Sequence, residues 1–215
     1  ATGATTVACI RLAYSEGARI SSNSWGADVN GAYTIQSQLF DRLTRDADLV
    51  TTQTLEPMVF LFAAGNYGPT AGTISSPATA KNVISVGAVE NCDKGPLDKF
   101  GIGPEESDDL RDMDVFSSRG PLADGRLAPL VVAPGTHITG AASDDPAFNG
   151  RLVAGRAEVD PGESSDADIY YPGGQSYYTR GSIGSSHACA VAAGPSRLPA
   201  DTASVNQRLK CPVRP

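Results

Sequence analysis

Long apolar runs, basic clusters and cysteine-rich patterns are all missing from this chain of 215 residues. No apolar segment approaches the roughly 20 residues that a helix needs to span a bilayer, and the first residues lack the regions of a signal peptide. The net charge is -7 and no basic run occurs, which argues against nucleic acid and membrane surfaces as partners. We therefore expect a mature form or a fragment with the charge balance of a soluble secreted enzyme.

Cysteine is scarce. The four cysteines are too few and too scattered for a disulfide scaffold, and none has metal-site spacing. Three pairings are open for Cys9, Cys92, Cys189 and Cys211. Cys189 falls in a stretch that we expect to be helical and buried, which favours a free core thiol.

The overall composition indicates one core and one domain. The chain is 40% hydrophobic, and its 23 glycines and 15 prolines are dispersed between short apolar runs. Such punctuation is typical of a loop-rich α/β protein. No internal repeat is visible.

Three apolar runs predict strands, at residues 57–64, 82–89 and 130–133, and residues 18–24 add a further β-rich run. The first two runs are nearly continuous, which predicts parallel strands buried on both faces. We therefore predict an α/β fold with a mainly parallel central sheet flanked by helices, and ligand sites beyond the carboxyl ends of the strands.

One segment predicts a helix, and a second fits a helix or a strand. Residues 34–46 have helical spacing of Ile35, Leu39, Phe40 and Leu43, which predicts an amphipathic surface helix. Residues 6–13 are apolar and fit either a strand or a helix.

A short turn, Gly-Ser-Ser, runs into an Ala-rich helical stretch within residues 181–194. That arrangement presents a serine hydroxyl at a helix N-terminus, where unpaired N–H groups and the helix dipole favour developing negative charge. Ser186 is the candidate nucleophile. The simpler alternative is that Ser185 or Ser186 only caps the helix.

This stretch resembles the nucleophile motif of the subtilisin-like serine proteases, Gly-Thr-Ser-x-Ala-x-Pro-x-Val-Ala-Gly. The matching positions are Gly184, Ser186, Ala188, Val191, Ala192 and Gly194. Ser185 stands where the family has Thr, and Ala190 stands where it has Pro. Both replacements are small, so the turn and the helix start are expected to persist.

Residues 62–66, Phe-Ala-Ala-Gly-Asn, resemble the family segment that walls the primary specificity pocket and supplies the oxyanion-hole side chain. The resemblance implies that Ala63, Ala64 and Gly65 form the wall and that Asn66 donates its amide N–H to the oxyanion. An asparagine in a turn after a strand is the alternative.

Residues 22–26, Ser-Asn-Ser-Trp-Gly, resemble the family's edge segment, which pairs with an extended substrate backbone. Ser24, Trp25 and Gly26 would then line the cleft, whereas a core role remains the alternative for Trp25. Three further blocks are similar to family framework segments, at residues 74–88, 116–121 and 132–136. The matching blocks together cover roughly half of the chain.

The triad base and its carboxylate do not appear in the sequence. The family carries both in motifs upstream of the edge segment, yet only about 20 residues precede Ser22. His187 follows Ser186 directly, and consecutive helical side chains diverge by about 100°. We expect His187 and His137 to be structural, and the pair Asp124-Gly125 to form a turn.

The resemblance thus implies a partial subtilisin-like peptidase domain over residues 1–215, built as a three-layer sandwich. It implies a secreted serine endopeptidase that hydrolyses extended polypeptides, with the triad Asp and His on a missing amino-terminal segment; this chain alone would be inactive. The alternative is a non-catalytic peptide-binding module. An esterase with its serine on a strand-turn-helix elbow is a further alternative, but its Gly-x-Ser-x-Gly motif requires glycine where this chain has Ala188.

Two segments remain open. Residues 105–114 hold six acidic side chains and one arginine, which fits a solvated loop or a structural calcium site with unassigned ligands. No organic cofactor is implied. Residues 195–215 are atypical, because two prolines interrupt the stretch where the family continues a long buried helix. An imperfectly identified tail sequence is a further explanation of this difference.

Overall fold

The computed structural model describes residues 3–50, 55–91, 109–136, 138–141 and 178–194. Helices and strands follow one another along these ranges. They are α1 (Gly3–Ser15), β1 (Ile20–Asn23), α2 (Ile35–Arg45), β2 (Val59–Ala63), β3 (Ile84–Val89), β4 (Val131–Pro134), β5 (Ile138–Ala141), β6 (Tyr178–Ser182) and α3 (Ser185–Ala193).

The main sheet has four strands in the order β1-β2-β3-β4, and every neighbouring pair is parallel. Strands β5 and β6 form a separate antiparallel pair. The three apolar runs and the β-rich run all contain strands of the main sheet, so the predicted mainly parallel sheet is confirmed. The ambiguous residues 6–13 lie within helix α1.

Strand β2 is buried on both faces, as its continuous apolar sequence predicts. Phe60 and Phe62 face a core cluster that includes residues of α1 and α2, whereas Leu61 and Ala63 face a second cluster that includes residues of α3. Successive side chains of a strand point to opposite faces. The sheet therefore lies between two helical layers, and the three-layer α/β architecture is confirmed.

Helix α2 begins at a capping box, in which Thr34 and Ser37 exchange side-chain and backbone hydrogen bonds. Phe40 and Leu43 are buried, as the helical spacing predicts. Ile35 is not part of the buried face, because it is 82% exposed. The buried position in the first turn belongs instead to Ser37, whose hydroxyl joins a buried hydroxyl network.

Helix α3 packs across the main sheet and contacts all four of its strands. At its start, the Gly184 N–H donates to the carbonyl oxygen of Gly135, just beyond the end of β4, at 2.8 Å. Its N-terminus therefore lies at the carboxyl edge of the sheet, where the predicted ligand crevice should be.

Several sequence-based predictions fall outside the described residues. These are the ones for Cys92, His137, Cys211 and residues 105–108 and 195–215. The assignment of residues 1–215 to one partial domain stays a prediction. Within the described ranges, none of the helices combines the length and the apolar character that a membrane span requires.

Candidate active site

A tight turn at the end of β2 carries Asn66. Gly65 has a φ of 112°, and a methyl group there would meet the hydroxyls of Ser75 and Ser118, so only glycine fits. The Ser118 N–H donates to the Gly65 carbonyl at 3.0 Å, and the Tyr67 N–H donates to Ser118 Oγ at 3.1 Å. These contacts fix the backbone on both sides of Asn66.

The first turn of α3 faces this loop. Gly184 is the N-cap, with φ 143° and ψ 153°, and no side chain caps the helix. Instead, the backbone N–H of Ser185 donates to Asn66 Oδ1 at 2.9 Å, and the Ser185 hydroxyl donates to the same oxygen at 2.7 Å. The simpler interpretation of these serines as helix caps therefore does not describe the structure.

The orientation of the Asn66 amide follows from these donors. A backbone N–H can only donate, so the atom that faces Ser185 N must be the amide oxygen. The Nδ2 group therefore points elsewhere, and none of the residues that the structure describes accepts a hydrogen bond from it. The backbone N–H of Ser186 likewise has no acceptor among them.

Both donors border the same space. A Cβ built on Gly184 would lie 3.5 Å from Asn66 Nδ2, 3.7 Å from Ser186 N and 3.9 Å from Asn66 Oδ1. Because Gly184 has no side chain, that space stays open between an amide N–H₂ and a backbone N–H. An oxyanion hole requires two donors beside one open space.

The Ser186 hydroxyl lies next to these donors and is only weakly held. Its Oγ is 3.4 Å from the Ser24 carbonyl oxygen, which is long for an O–H···O bond. In the reverse direction, the Ser24 hydroxyl donates to the Ser186 carbonyl oxygen at 2.7 Å. The segment after β1 is thus bound to α3, mainly through the Ser24 hydroxyl.

These groups open onto a cavity of about 270 Å³. Its lining has no charged side chain and consists of Ser24, Trp25, Gly26, Ala63, Gly65, Asn66, Tyr67, Ser75, Ser185 and Ser186. Seven of the eight residues named from the sequence are thus brought together. Ala64 is the exception: its side chain is fully buried in the core cluster that contains Phe60 and Phe62.

Sequence reasoning assigned no site role to three of the lining residues, Tyr67, Ser75 and Ser185. Tyr67 follows Asn66 directly, and Ser185 precedes Ser186, so proximity in sequence could have indicated both. Ser75 lines the cavity but belongs to the framework block at residues 74–88, and no sequence feature there indicates a place in the site.

Trp25 serves both the core and the cleft. Its ring makes edge contacts with Phe62 and Phe40, at centroid distances of 5.3 and 5.8 Å, while 46% of the residue stays exposed. Edge-to-face packing of this kind fixes the ring in place. The core role and the cleft role are therefore compatible for this residue.

Two titratable groups on α3 lie near the site. Burial lowers the pKa of His187, which favours the neutral imidazole. Burial raises the pKa of the Cys189 thiol, although contacts with Ser22 and with the Asn23 carbonyl partly oppose this. Cys189 is buried and unpaired, which confirms the predicted free core thiol.

The described part of the acidic run does not form a cation site. Arg111 binds Asp109 at 2.6 Å and holds the pKa of that carboxyl down to about 2, and Asp114 is buried. No group of three or more metal-ligating side chains occurs among the described residues. A calcium site would thus depend on residues outside the described ranges, and it stays a prediction.

Comparison with known proteins fits this geometry. The sequence model of the Peptidase S8 family, the subtilases, matches residues 1–196, so the chain belongs to the subtilase family. The serine protease AprX of Bacillus subtilis (strain 168) is 36% identical over 81 residues, which make up 38% of this chain and 16% of AprX. Pyrolysin of Pyrococcus furiosus is 37% identical over 90 residues, covering 38% of this chain and 6% of pyrolysin.

Among solved structures, sphericase aligns over 95% of this chain and 52% of its own, with a TM-score of 0.50 and 19% identity. The patellamide maturation protease PatA aligns over 91% and 48%, with a TM-score of 0.50 and 18% identity. At such identities the likeness shows the fold. The chain spans about half of these structures and a smaller share of the two sequence relatives.

Proposed function

We propose that this chain is the nucleophile-bearing part of a subtilisin-like serine endopeptidase that cleaves extended polypeptides. The observation that carries the proposal is the pair of donors without acceptors, Asn66 Nδ2 and Ser186 N–H, beside the Ser186 hydroxyl. Family membership supports the reaction class, and AprX is itself a serine protease.

In the proposed reaction, Ser186 Oγ attacks the carbonyl carbon of the scissile peptide bond and its proton passes to a base. The carbonyl electrons move onto oxygen, and Asn66 Nδ2 together with the Ser186 N–H donate hydrogen bonds to that oxyanion. Because Ser186 lies in the first turn of α3, the positive end of the helix dipole adds to the stabilisation.

The proposed substrate cleft begins where β1 ends. Ser24, Trp25 and Gly26 continue from that strand, so an extended polypeptide can pair with their backbone. Ala63 and Gly65 would wall the specificity pocket, and Ala64 would support that wall from the core. A neutral lining built largely from small residues supports a broad preference.

The base and its carboxylate are proposed to come from a segment outside the printed sequence. His187 is the one histidine of the described ranges, and its position next to Ser186 on the same helix turns its side chain away from the hydroxyl. The segment that completes the triad would be the partner of this chain. An extracellular location and a structural calcium ion belong to the same proposal; the location rests on the resemblance, and the calcium ion rests on the resemblance and on the acidic run at residues 105–114.

A non-catalytic peptide-binding module is the second candidate. It is favoured by one observation: within the described ranges, the only hydrogen-bond partner of Ser186 Oγ is a backbone carbonyl oxygen. A serine without a base is a weak nucleophile, but the cleft would still bind an extended chain.

A fluorophosphonate distinguishes the two candidates, because it reacts covalently with an activated serine. The full-length protein that contains this chain is treated with the probe, and the adduct is located by peptide mass spectrometry. An adduct at Ser186 that the Ser186→Ala variant lacks supports the endopeptidase. A folded full-length protein that stays unlabelled contradicts it and favours the binding module.

A further inference from the structure

Ser185 lies at the centre of a short chain of hydrogen bonds beneath the cavity. The Gly65 N–H donates to Ser185 Oγ at 3.2 Å, and the Ser185 hydroxyl donates to Asn66 Oδ1 at 2.7 Å. Ser185 is 1% exposed, so water does not compete for these bonds. The residue therefore connects the backbone of Gly65 and the side chain of Asn66, in the turn after β2, to the first turn of α3.

Each hydrogen bond in this series has a defined donor and a defined acceptor. Because the Gly65 N–H must donate, Ser185 Oγ accepts there and its own hydrogen is left for Asn66 Oδ1. The backbone N–H of Ser185 occupies a second site on the same oxygen. Two donors on Oδ1 restrain rotation of the amide, and this fixes the direction of Nδ2.

Without the hydroxyl, one donor would remain on Oδ1. Asn66 is an exposed residue in a turn, and the terminal torsion of asparagine is broad, so the amide would sample more orientations. Gly65 would also lose the acceptor of its backbone N–H. The loss should thus affect the direction of the Nδ2 donor more than the presence of the cavity.

We propose that Ser185 is a positioning residue, whose hydroxyl orients the Asn66 amide so that Nδ2 faces the space beside Gly184. For catalysis this rests on the proposed function, since Asn66 acts on the oxyanion and Ser185 acts through Asn66. The hydroxyl is not itself an oxyanion donor, because its hydrogen is already committed to Asn66 Oδ1. Threonine, the family residue at this position, would preserve the hydroxyl.

The loss of kcat expected for Ser185→Ala has an upper bound. Removal of an oxyanion-hole donor lowers kcat by about 10²–10³, a figure known for subtilisin of the same family and carried over here. A positioning residue cannot contribute more than the donor that it orients. We expect Ser185→Ala to lower kcat by about tenfold to hundredfold, with KM little changed.

The kinetic test uses the full-length protein in four forms: wild type, Ser185→Ala, Ser185→Thr and Asn66→Ala, together with the double variant of Ser185→Ala and Asn66→Ala. We expect Ser185→Thr to restore most of kcat, and Ser185→Ala to have no further effect once Asn66 is alanine. An equal loss from Ser185→Ala in both backgrounds, or unchanged kcat in the single variant, would overturn the proposal. Thermal melting checks that each variant is folded.

A second readout needs no activity. The ¹⁵N order parameter of the Asn66 side-chain amide should be similar in the wild type and in Ser185→Thr, and clearly lower in Ser185→Ala. Equal values in wild type and Ser185→Ala would refute the positioning role. If Ser186 cannot be labelled but the order parameters differ as expected, the proposed function fails and the positioning of Asn66 stands.

Discussion

Replacement of Gly184 by alanine tests the proposed oxyanion site most directly. The residue has φ 143° and ψ 153°, a conformation that is essentially restricted to glycine. The new methyl carbon would lie 3.5 Å from Asn66 Nδ2 and 3.7 Å from Ser186 N, which is ordinary van der Waals contact. The variant therefore has room for its side chain and would occupy the space between the two donors.

Two effects should be separable. Backbone strain costs about 1–3 kcal/mol of unfolding free energy, which leaves a domain of ordinary stability folded. The oxyanion must approach its donors to about 2.7–3.1 Å, and a methyl group against both donors obstructs that approach. We expect kcat to fall by at least about 10²–10³, the cost of one lost donor in subtilisin.

Gly17→Ala is the matched control. Gly17 also has a positive φ, 95°, and nothing lies within 4 Å of the position that its Cβ would take. It places an alanine at positive φ outside the lining of the cavity. The assay measures the rate of fluorophosphonate labelling at Ser186 in the full-length protein and the melting temperature of each variant.

The expected result is a comparable fall in melting temperature for both glycine variants and a large loss of labelling for Gly184→Ala alone. If Gly184→Ala reacts within about fivefold of Gly17→Ala, the two donors do not act on an oxyanion at this space. The reasoning from the converging donors would then be refuted.

Three further predictions follow from the described contacts. Gly65→Ala should lower the unfolding free energy by about 2–5 kcal/mol in urea titrations, because strain and a clash with two serine hydroxyls combine, and a loss no larger than that of Gly17→Ala contradicts this. Burial lowers the pKa of His187, so the unfolded chain binds a proton at this residue at a higher pH than the folded chain does. Stability should therefore fall as the pH drops below about 6.5, and the fall should be smaller in His187→Gln. Iodoacetamide at neutral pH should modify exposed Cys9 and leave buried Cys189 unmodified until the chain is denatured, so early modification of Cys189 would show that α3 does not pack this residue against the main sheet.

Local residue types were sufficient to predict the strands of the main sheet and helix α2. An apolar run such as residues 57–64 has no polar face, so burial on both sides of a sheet follows from its composition. Residues 6–13 could not be assigned in this way, because a short apolar run fits a helix as well as a strand. In the structure these residues belong to helix α1, which contacts helix α2.

The sequence by itself predicted seven of the ten residues that line the candidate site. The segments that contain Ser24, Asn66 and Ser186 each follow a strand or start a helix, and parallel strands bring their carboxyl ends to one edge. The small residues and the amide of the motif were visible without any structure. Their proposed chemistry, an attacking hydroxyl and an oxyanion donor, is compatible with the residue types and rests on the resemblance to the family.

Only the tertiary structure decided how these groups are directed. Ser185 and Asn66 are 119 positions apart, and their hydrogen bonds exist because α3 packs across the sheet and ends its first turn against the β2 loop. The same packing gives the Ser185 hydroxyl its partners, while Ala64 is buried on the opposite face of the sheet, in the cluster that contains Phe60 and Phe62. A sequence pattern specifies donors and acceptors, but the direction of a hydrogen bond between distant segments depends on how their backbones are placed in three dimensions.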